Sequence, residues 1–470
     1  MDLFISEIKQ HLQPSSILLP NTPSFASYTT QWSLHHSAVQ PKLVLVPKED
    51  IELAATVKLL YNSPFSFSVR SGGIAGSQNE DVVLSMEAFD GFKWNEKEKT
   101  VLLGAGQNWR TVYQKMEKFA PDYMVVGART PIVGVGGSII AGGSSWLSPQ
   151  YGWGSDPANF LDARVVIHDG REVWASEEDG GRLLWALRGG QGNFGVVKSF
   201  LLRAHPYPRE IYGGSIFFDA SAFPAFAKQA DKWLKHNSSL SRGTTFHLLM
   251  VCVDPSRPSF GVQIFDPLGK EHAKGSEPTS LGWIWEVDGR LSDDTGLKTF
   301  CQIVAGYENM CQLYGTMNTI LYAPLTTTVD EETFLRGWKW FADATKPSVF
   351  QVPCTLLVFE IDHAATGSSD STAWPRSERT TVVQLAVGFR AQDDAGTFNK
   401  VEMEANRIIQ SGRHIVGVNT AESDCFPNAP ADFLQPKSIF QGNYAKLQQL
   451  KTRYDPQGKF NKNGLYIPPL

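Results

Sequence analysis

Residues 65–76 read FSFSVRSGGIAG, in which an aromatic and β-branched alternation runs to Arg70 and stops at Ser71-Gly72-Gly73. The alternation predicts a strand, and the glycines end it in a loop. Upstream, the apolar run 43–46 predicts another strand, and Asp50 opens a helical pattern through Leu53, Val57 and Leu60. Downstream lie two further clusters, Gly134-Val135-Gly136-Gly137 with Ala141-Gly142-Gly143, and Gly189-Gly190-Gln191-Gly192-Asn193-Phe194-Gly195. Glycine lets backbone approach a ligand closely, so loops that wrap an anionic group with main-chain N–H donors are built from it. Any one cluster reads equally well as a tight turn. Three in succession point to a common ligand.

The last cluster contains Gly190-x-Gly192-x-x-Gly195, the spacing of a dinucleotide fingerprint. That fingerprint works only when a strand precedes it and a helix follows, so that pyrophosphate meets the helix N-terminus. Here the order is reversed: 183–187 continues an amphipathic helix and 196–202 is a strand, which argues against a Rossmann nicotinamide site. After His205-Pro206-Tyr207-Pro208 the texture changes. Strand-like segments at 213–218, 245–252, 261–265, 355–361 and 380–389 interleave with helical patterns at 223–236 and 331–344, predicting an antiparallel sheet covered by helices. The tail returns to an amphipathic helix at 444–451. The fold class expected is therefore α+β.

Composition sets the outer bounds. The 470 residues carry a net charge of −5, which argues against a nucleic-acid partner, because backbone-phosphate binders need a basic excess. The opening MDLFISEIKQHL carries Asp2 and Glu7 and no basic start, unlike a secretory signal, and no apolar run reaches membrane-spanning length. The expectation is a cytoplasmic chain with no membrane partner. The five cysteines, Cys252, Cys301, Cys311, Cys354 and Cys425, are scattered and lack metal-ligand spacing, so they read as free thiols.

The ordered set 41–47, 69–73, 104–106, 133–137, 151–153, 185–190, 193–197, 442–444 and 451–456 resembles the berberine-bridge-enzyme-like FAD-linked oxidases, with their p-cresol-methylhydroxylase type of FAD-binding domain. The resemblance implies an FAD-binding domain at 1–207, a substrate domain at 208–424 roofing the flavin, and a tail at 425–470 that completes the FAD domain. It implies cofactor contacts from Arg70, Ser71, Gly72, Gly73, Ile74, Ala75 and Ser77, and from Thr130, Gly134, Gly136, Gly137, Gly142, Gly143, Val196 and Asn443. Many relatives attach the flavin covalently to a His after the Arg-Ser-Gly-Gly segment, and some add a Cys in the second loop. Ile74 and Thr130 stand at those positions, and neither side chain forms such a bond, so the expected FAD is noncovalent. Covalent links generally raise a flavin's potential, so their loss weakens hydride abstraction. A second departure splits the Asp-Asn pair that usually follows Tyr-Gly-Trp into Asp156 and Asn159.

A flavin oxidase needs a base for the proton that accompanies hydride transfer. Glu360 lies in the apolar strand 355–361, where alternation sets Val358 and Glu360 on one face against Leu357 and Phe359 on the other; desolvation there would raise its pKa. The bland alternative is a solvated edge residue. Tyr444 is the second catalytic candidate, with Asn443 beside it; the resemblance sets this turn next to the flavin, and the alternative is a helix start packed on the core. Trp146 and Trp153 flank the second loop, either as stacking platforms or as interface filling. His363 and Arg376 resemble a region that lines the site in relatives, where a Pro-His-Arg order is common; Pro375-Arg376-Ser377 stands here instead, so that His role is absent. The expected function is an FAD-dependent oxidase or dehydrogenase acting on a small secondary-metabolite-like substrate, with dioxygen as acceptor. The alternatives are a redox-neutral FAD-containing isomerase or cyclase and, more weakly, a noncatalytic binding module.

Overall fold

The computed structural model describes residues 1–37, 39–74, 80–236, 243–252, 259–327, 329–345, 354–361, 369–375, 381–389, 395–417, 425–429, 434–462 and 464–470. Ala75, Ser77, His363 and Arg376 lie outside them. Among the described residues three sheets are formed, and the chain builds them in sequence order.

The first sheet sets Leu43–Leu45, Val82–Ser85 and Phe67–Arg70 parallel, with Ile17–Leu18 antiparallel at its outer edge. Its central strands are apolar without alternation because both faces are covered: Leu43, Val44, Val82 and Val83 are fully buried. The helix Asp50–Asn62 supplies one cover through Leu53, Val57 and Leu60. It starts where the sequence predicts, held by a reciprocal cap between Glu49 and Glu52.

The second sheet is antiparallel, in the order Phe92–Asn95, Thr100–Gly104, Val196–Pro206, Phe160–Val166, Glu172–Trp174. Helix Arg182–Leu187 precedes the third glycine cluster and strand Val196–Pro206 follows it, so the rejected dinucleotide fingerprint has the reversed order read from sequence.

The third sheet is the large antiparallel one. Its central path runs Ile211–Asp219, Ser259–Asp266, Thr245–Cys252, Cys354–Glu360, Thr381–Phe389, Asn318–Tyr322. Helices Glu331–Ala344 and Ala395–Ser411 pack on one face, where Phe359 meets Phe334 with ring centroids 5.1 Å apart. The other face carries Leu356, Val358 and Glu360 and looks toward the first half of the chain. The final helix, Tyr444–Tyr454, returns to the first half: buried Lys451 donates to the carbonyls of Asn193 (2.9 Å) and Phe460 (2.8 Å) and pairs with buried Asp455 at 2.6 Å. Among the described residues no helix is long and apolar enough to cross a membrane. Among the described residues Cys301, Cys311 and Cys425 form no disulfide.

Candidate active site

A cavity of about 540 Å³ opens between the glycine loops of the first half and the bare face of the third sheet. Such a volume suits a small ligand or part of a larger one. One wall is backbone. Gly72 and Gly134 touch: a Cβ on Gly72 would sit 2.7 Å from the Gly134 nitrogen, and one on Gly134 would sit 2.4 Å from Ser71 Oγ. The two loops can close only because both residues lack side chains. Ser71 ties them further, donating from Oγ to the Ala105 carbonyl at 2.6 Å and accepting from the Gly136 amide at 3.3 Å.

Gly137 tests whether this wall fits a cofactor. It is exposed between buried Gly136 and Ser138, it lines the cavity, and a Cβ added to it would meet nothing within 4 Å. The space a side chain would take is left open, as a main-chain cradle for a flavin nucleotide requires. Residues that would hold FAD are therefore present. Alanine at position 137 favours its helix by about 1 kcal/mol, so Gly137→Ala is expected to leave the apoprotein at least as stable. Its methyl group is expected to weaken FAD retention about tenfold, roughly 1.4 kcal/mol, checked by flavin titration beside a urea melt.

The structure gathers most of the expected cofactor residues here. Arg70, Ser71, Gly72, Gly73, Ile74, Thr130, Gly134, Gly136, Gly137, Gly143 and Val196 all line the cavity. Arg70 is largely spent on structure, its Nη2 lying 3.0 Å from the Thr30 carbonyl and 2.9 Å from the Tyr314 hydroxyl. Three expected residues are elsewhere. Gly142 faces Asn428 and Phe426, with the added-Cβ distance to Asn428 Oδ1 only 2.7 Å. Asn443 turns its amide to the carbonyls of Thr372 (3.2 Å) and Ala373 (3.1 Å). Tyr444 begins the last helix and packs on the core, and burial raises its phenol rather than lowering it. Neither Asn443 nor Tyr444 is among the described residues that line the cavity. The tryptophans are core as well: Trp146 stacks on His247 (4.0 Å) and Phe265 (5.1 Å), and Trp153 meets Trp374 and Phe426.

Glu360 is on the cavity wall and 1% exposed. It is buried, as its apolar strand predicts, but it is not isolated. Arg129, 9% exposed, forms an ion pair with Oε1, and Ser144 donates to Oε2 at 3.0 Å. The pair corrects the expectation that desolvation alone governs this carboxyl, because a neighbouring guanidinium favours the charged form.

Sequence reasoning missed Arg129, Ser144, Gln191 and Asn428. Asn428 clamps the second loop, accepting from the Gly143 amide at 2.9 Å and donating to the Ser138 carbonyl at 3.0 Å. Gln191, held at φ +59°, donates to the Pro427 carbonyl (2.9 Å) and accepts from the Leu465 amide (3.2 Å). A positive φ on a non-glycine was the one local oddity available, and it is invisible in sequence.

The split pair has a structural task. Asp156 Oδ2 accepts from the Trp153 amide at 3.0 Å, and Asn159 donates to the carbonyls of Tyr151 (2.8 Å) and Trp153 (2.6 Å), so both shape the Tyr151-Gly152-Trp153 turn. His205 lies against Asn159 at 2.7 Å and stacks on Tyr151. Burial, with Arg203 adding to it, pushes the His205 imidazole from 6.5 down to about 4. Between these values the unfolded chain binds a proton that the folded one does not, so stability falls as pH drops through that window. His205→Gln is expected to flatten this slope, and an unchanged pH dependence of the urea midpoint would contradict the assignment.

Comparison with known proteins now adds the family. The family described as "FAD binding domain" matches residues 41–176, and that described as "Berberine and berberine like" matches residues 425–464. The FAD-dependent monooxygenase drtC of Aspergillus calidoustus is 30% identical over 417 residues, covering 84% of this chain and 75% of the relative. An uncharacterized FAD-linked oxidoreductase of Arthroderma benhamiae is 29% identical over 238 residues, 49% of this chain; the aligned stretch spans about half of that relative, 47% of its length. Among solved structures, 6-hydroxy-D-nicotine oxidase from Arthrobacter nicotinovorans superposes with a TM-score of 0.79 at 20% identity, covering 97% of this chain and 98% of that one, and so shares the fold. With a glycine-walled cavity beneath a helix-backed antiparallel sheet and a tail that returns to the first half, the chain belongs to the berberine-bridge-enzyme-like FAD-linked oxidoreductases.

Proposed function

We propose that this chain oxidises a small, largely apolar, secondary-metabolite-like molecule with noncovalently held FAD and passes the electrons to dioxygen. One observation carries the reading: a single cavity has glycine backbone on one wall and a buried acid, Glu360, on the apolar sheet face opposite. Bound FAD supplies a hydride acceptor. The main chain of Ser71–Gly73 and of Gly134, Gly136 and Gly137 would hold it. Leu321, Leu356 and Ala386 exclude water from the substrate side, and Glu360 receives the proton that the substrate gives up. Ser144 steadies the carboxylate oxygen it bonds.

Ile74 and Thr130 both line the cavity, which supports a detachable cofactor. The same two residues favour a second reading, a redox-neutral isomerase or cyclase in which FAD is not reduced. Protein prepared with FAD and then denatured in acid is expected to release all its flavin, leaving a polypeptide of unmodified mass. Flavin retained on the chain would overturn noncovalent binding. Anaerobic bleaching of the holoprotein by a panel of apolar alcohols and amines then separates the readings: reduction supports oxidation, and an isomerised product without bleaching supports the second.

A further inference from the structure

Three adjacent strands of the third sheet carry a polar row. Gln263, His247 and Glu360 are direct register partners, so their side chains share the face that looks toward the cavity half, and they are 7%, 0% and 1% exposed. Polar side chains so deeply buried need partners across the interface. Arg129 supplies one to Glu360 directly, and one to Gln263 by way of Tyr307, from the segment just before Thr130. Its Nη2 binds Glu360 Oε1 and reaches Gln384 Oε1 at 3.2 Å; its Nη1 donates to the Tyr307 hydroxyl at 3.2 Å. Tyr307 in turn donates to Gln263.

We propose that Arg129 is the positioning residue of this site: it keeps Glu360 a carboxylate, fixes its orientation at the cavity wall, and is itself aimed by Tyr307 and Gln263. The inference rests on the reading of Glu360 as proton acceptor. A carboxyl this buried either has a cation beside it or keeps its proton, and a base must have given up its proton before it can take one. The planar guanidinium serves Glu360, Gln384 and Tyr307 at once, whereas a lysine ammonium would present a single point charge. Among the described residues the titratable groups facing Glu360 are Arg129 from the loop and His247 from the neighbouring strand, with Tyr307 behind Arg129; the strand on the other side presents Val382 and Gln384. His247 is stacked on Trp146.

The test reads Glu360 directly, without turnover. Infrared difference spectra of the FAD-loaded protein, with the Glu360→Gln spectrum subtracted, isolate the carbonyl stretch of the protonated acid. Wild type is expected to lack this band at neutral pH. Arg129→Met is expected to show it, with a midpoint raised by about 1–3 pH units. Arg129→Lys is expected to restore the midpoint most of the way toward wild type. Tyr307→Phe, which removes only a hydroxyl, is expected to move it upward by a smaller step, and it carries the test should Arg129→Met fail to fold. A protonated Glu360 in wild type at neutral pH, or midpoints unmoved in folded variants, would overturn the proposal. Undiminished flavin reduction in Glu360→Gln would instead remove the proton-acceptor reading while leaving the infrared result intact.

Discussion

Replacing Glu360 by Gln is expected to slow substrate reduction of the bound flavin by about 10²–10⁴-fold, the usual worth of a positioned general base. The amide keeps the shape, its oxygen can still accept from Arg129 and its NH2 can donate to the Ser144 hydroxyl, so FAD content is expected to stay at the wild-type level. Anaerobic stopped-flow reduction, using any compound that bleaches the wild type, measures the effect. Glu360 faces the cavity while Leu357 and Phe359, its neighbours in the strand, face the helices. A loss confined to the chemical step therefore follows from removing the base, not from disturbing the sheet.

Lys451→Met is expected to cost about 3–5 kcal/mol, because it strands a buried carboxylate. Lys451 and Asp455 are both 0% exposed and 2.6 Å apart. Burial pushes the Lys451 ammonium down to about 8, with Asp455 resisting the shift, so it is still charged at neutral pH. Methionine fills the same volume but leaves Asp455 with no cation, only the amides of Lys459 and Phe460 and the Tyr61 hydroxyl. A lowered urea midpoint, partly recovered in Lys451→Met combined with Asp455→Asn, is the expected result. The single change is also expected to loosen Asn193 and lower FAD content, since the ammonium holds the Asn193 carbonyl.

The parts legible in sequence were those written in local chemistry. The glycine loops are readable because close approach of backbones excludes a Cβ, a property of each residue by itself, and Gly72 against Gly134 realises it. Glu360 is readable because an acid in an apolar strand contradicts its surroundings. Its partner is not readable: Arg129 is 231 residues away, and only the docking of the sheet over the loops brings the two together. Asn428 and Gln191 leave no periodic signal, since single amides in loops look alike whether they clamp a neighbour or meet water. Asn443 and Tyr444 illustrate the converse. Proximity to the flavin was inferred for a motif, whereas the local register of the last helix turns Asn443 to the Thr372 and Ala373 carbonyls.

Gln191 joins the third glycine cluster to Pro427 and Leu465, partners 236 and 274 residues further along the chain. During synthesis the third glycine loop therefore emerges before the residues that brace it. A chain cut short before Leu465 is accordingly expected to lose FAD before it loses its sheets.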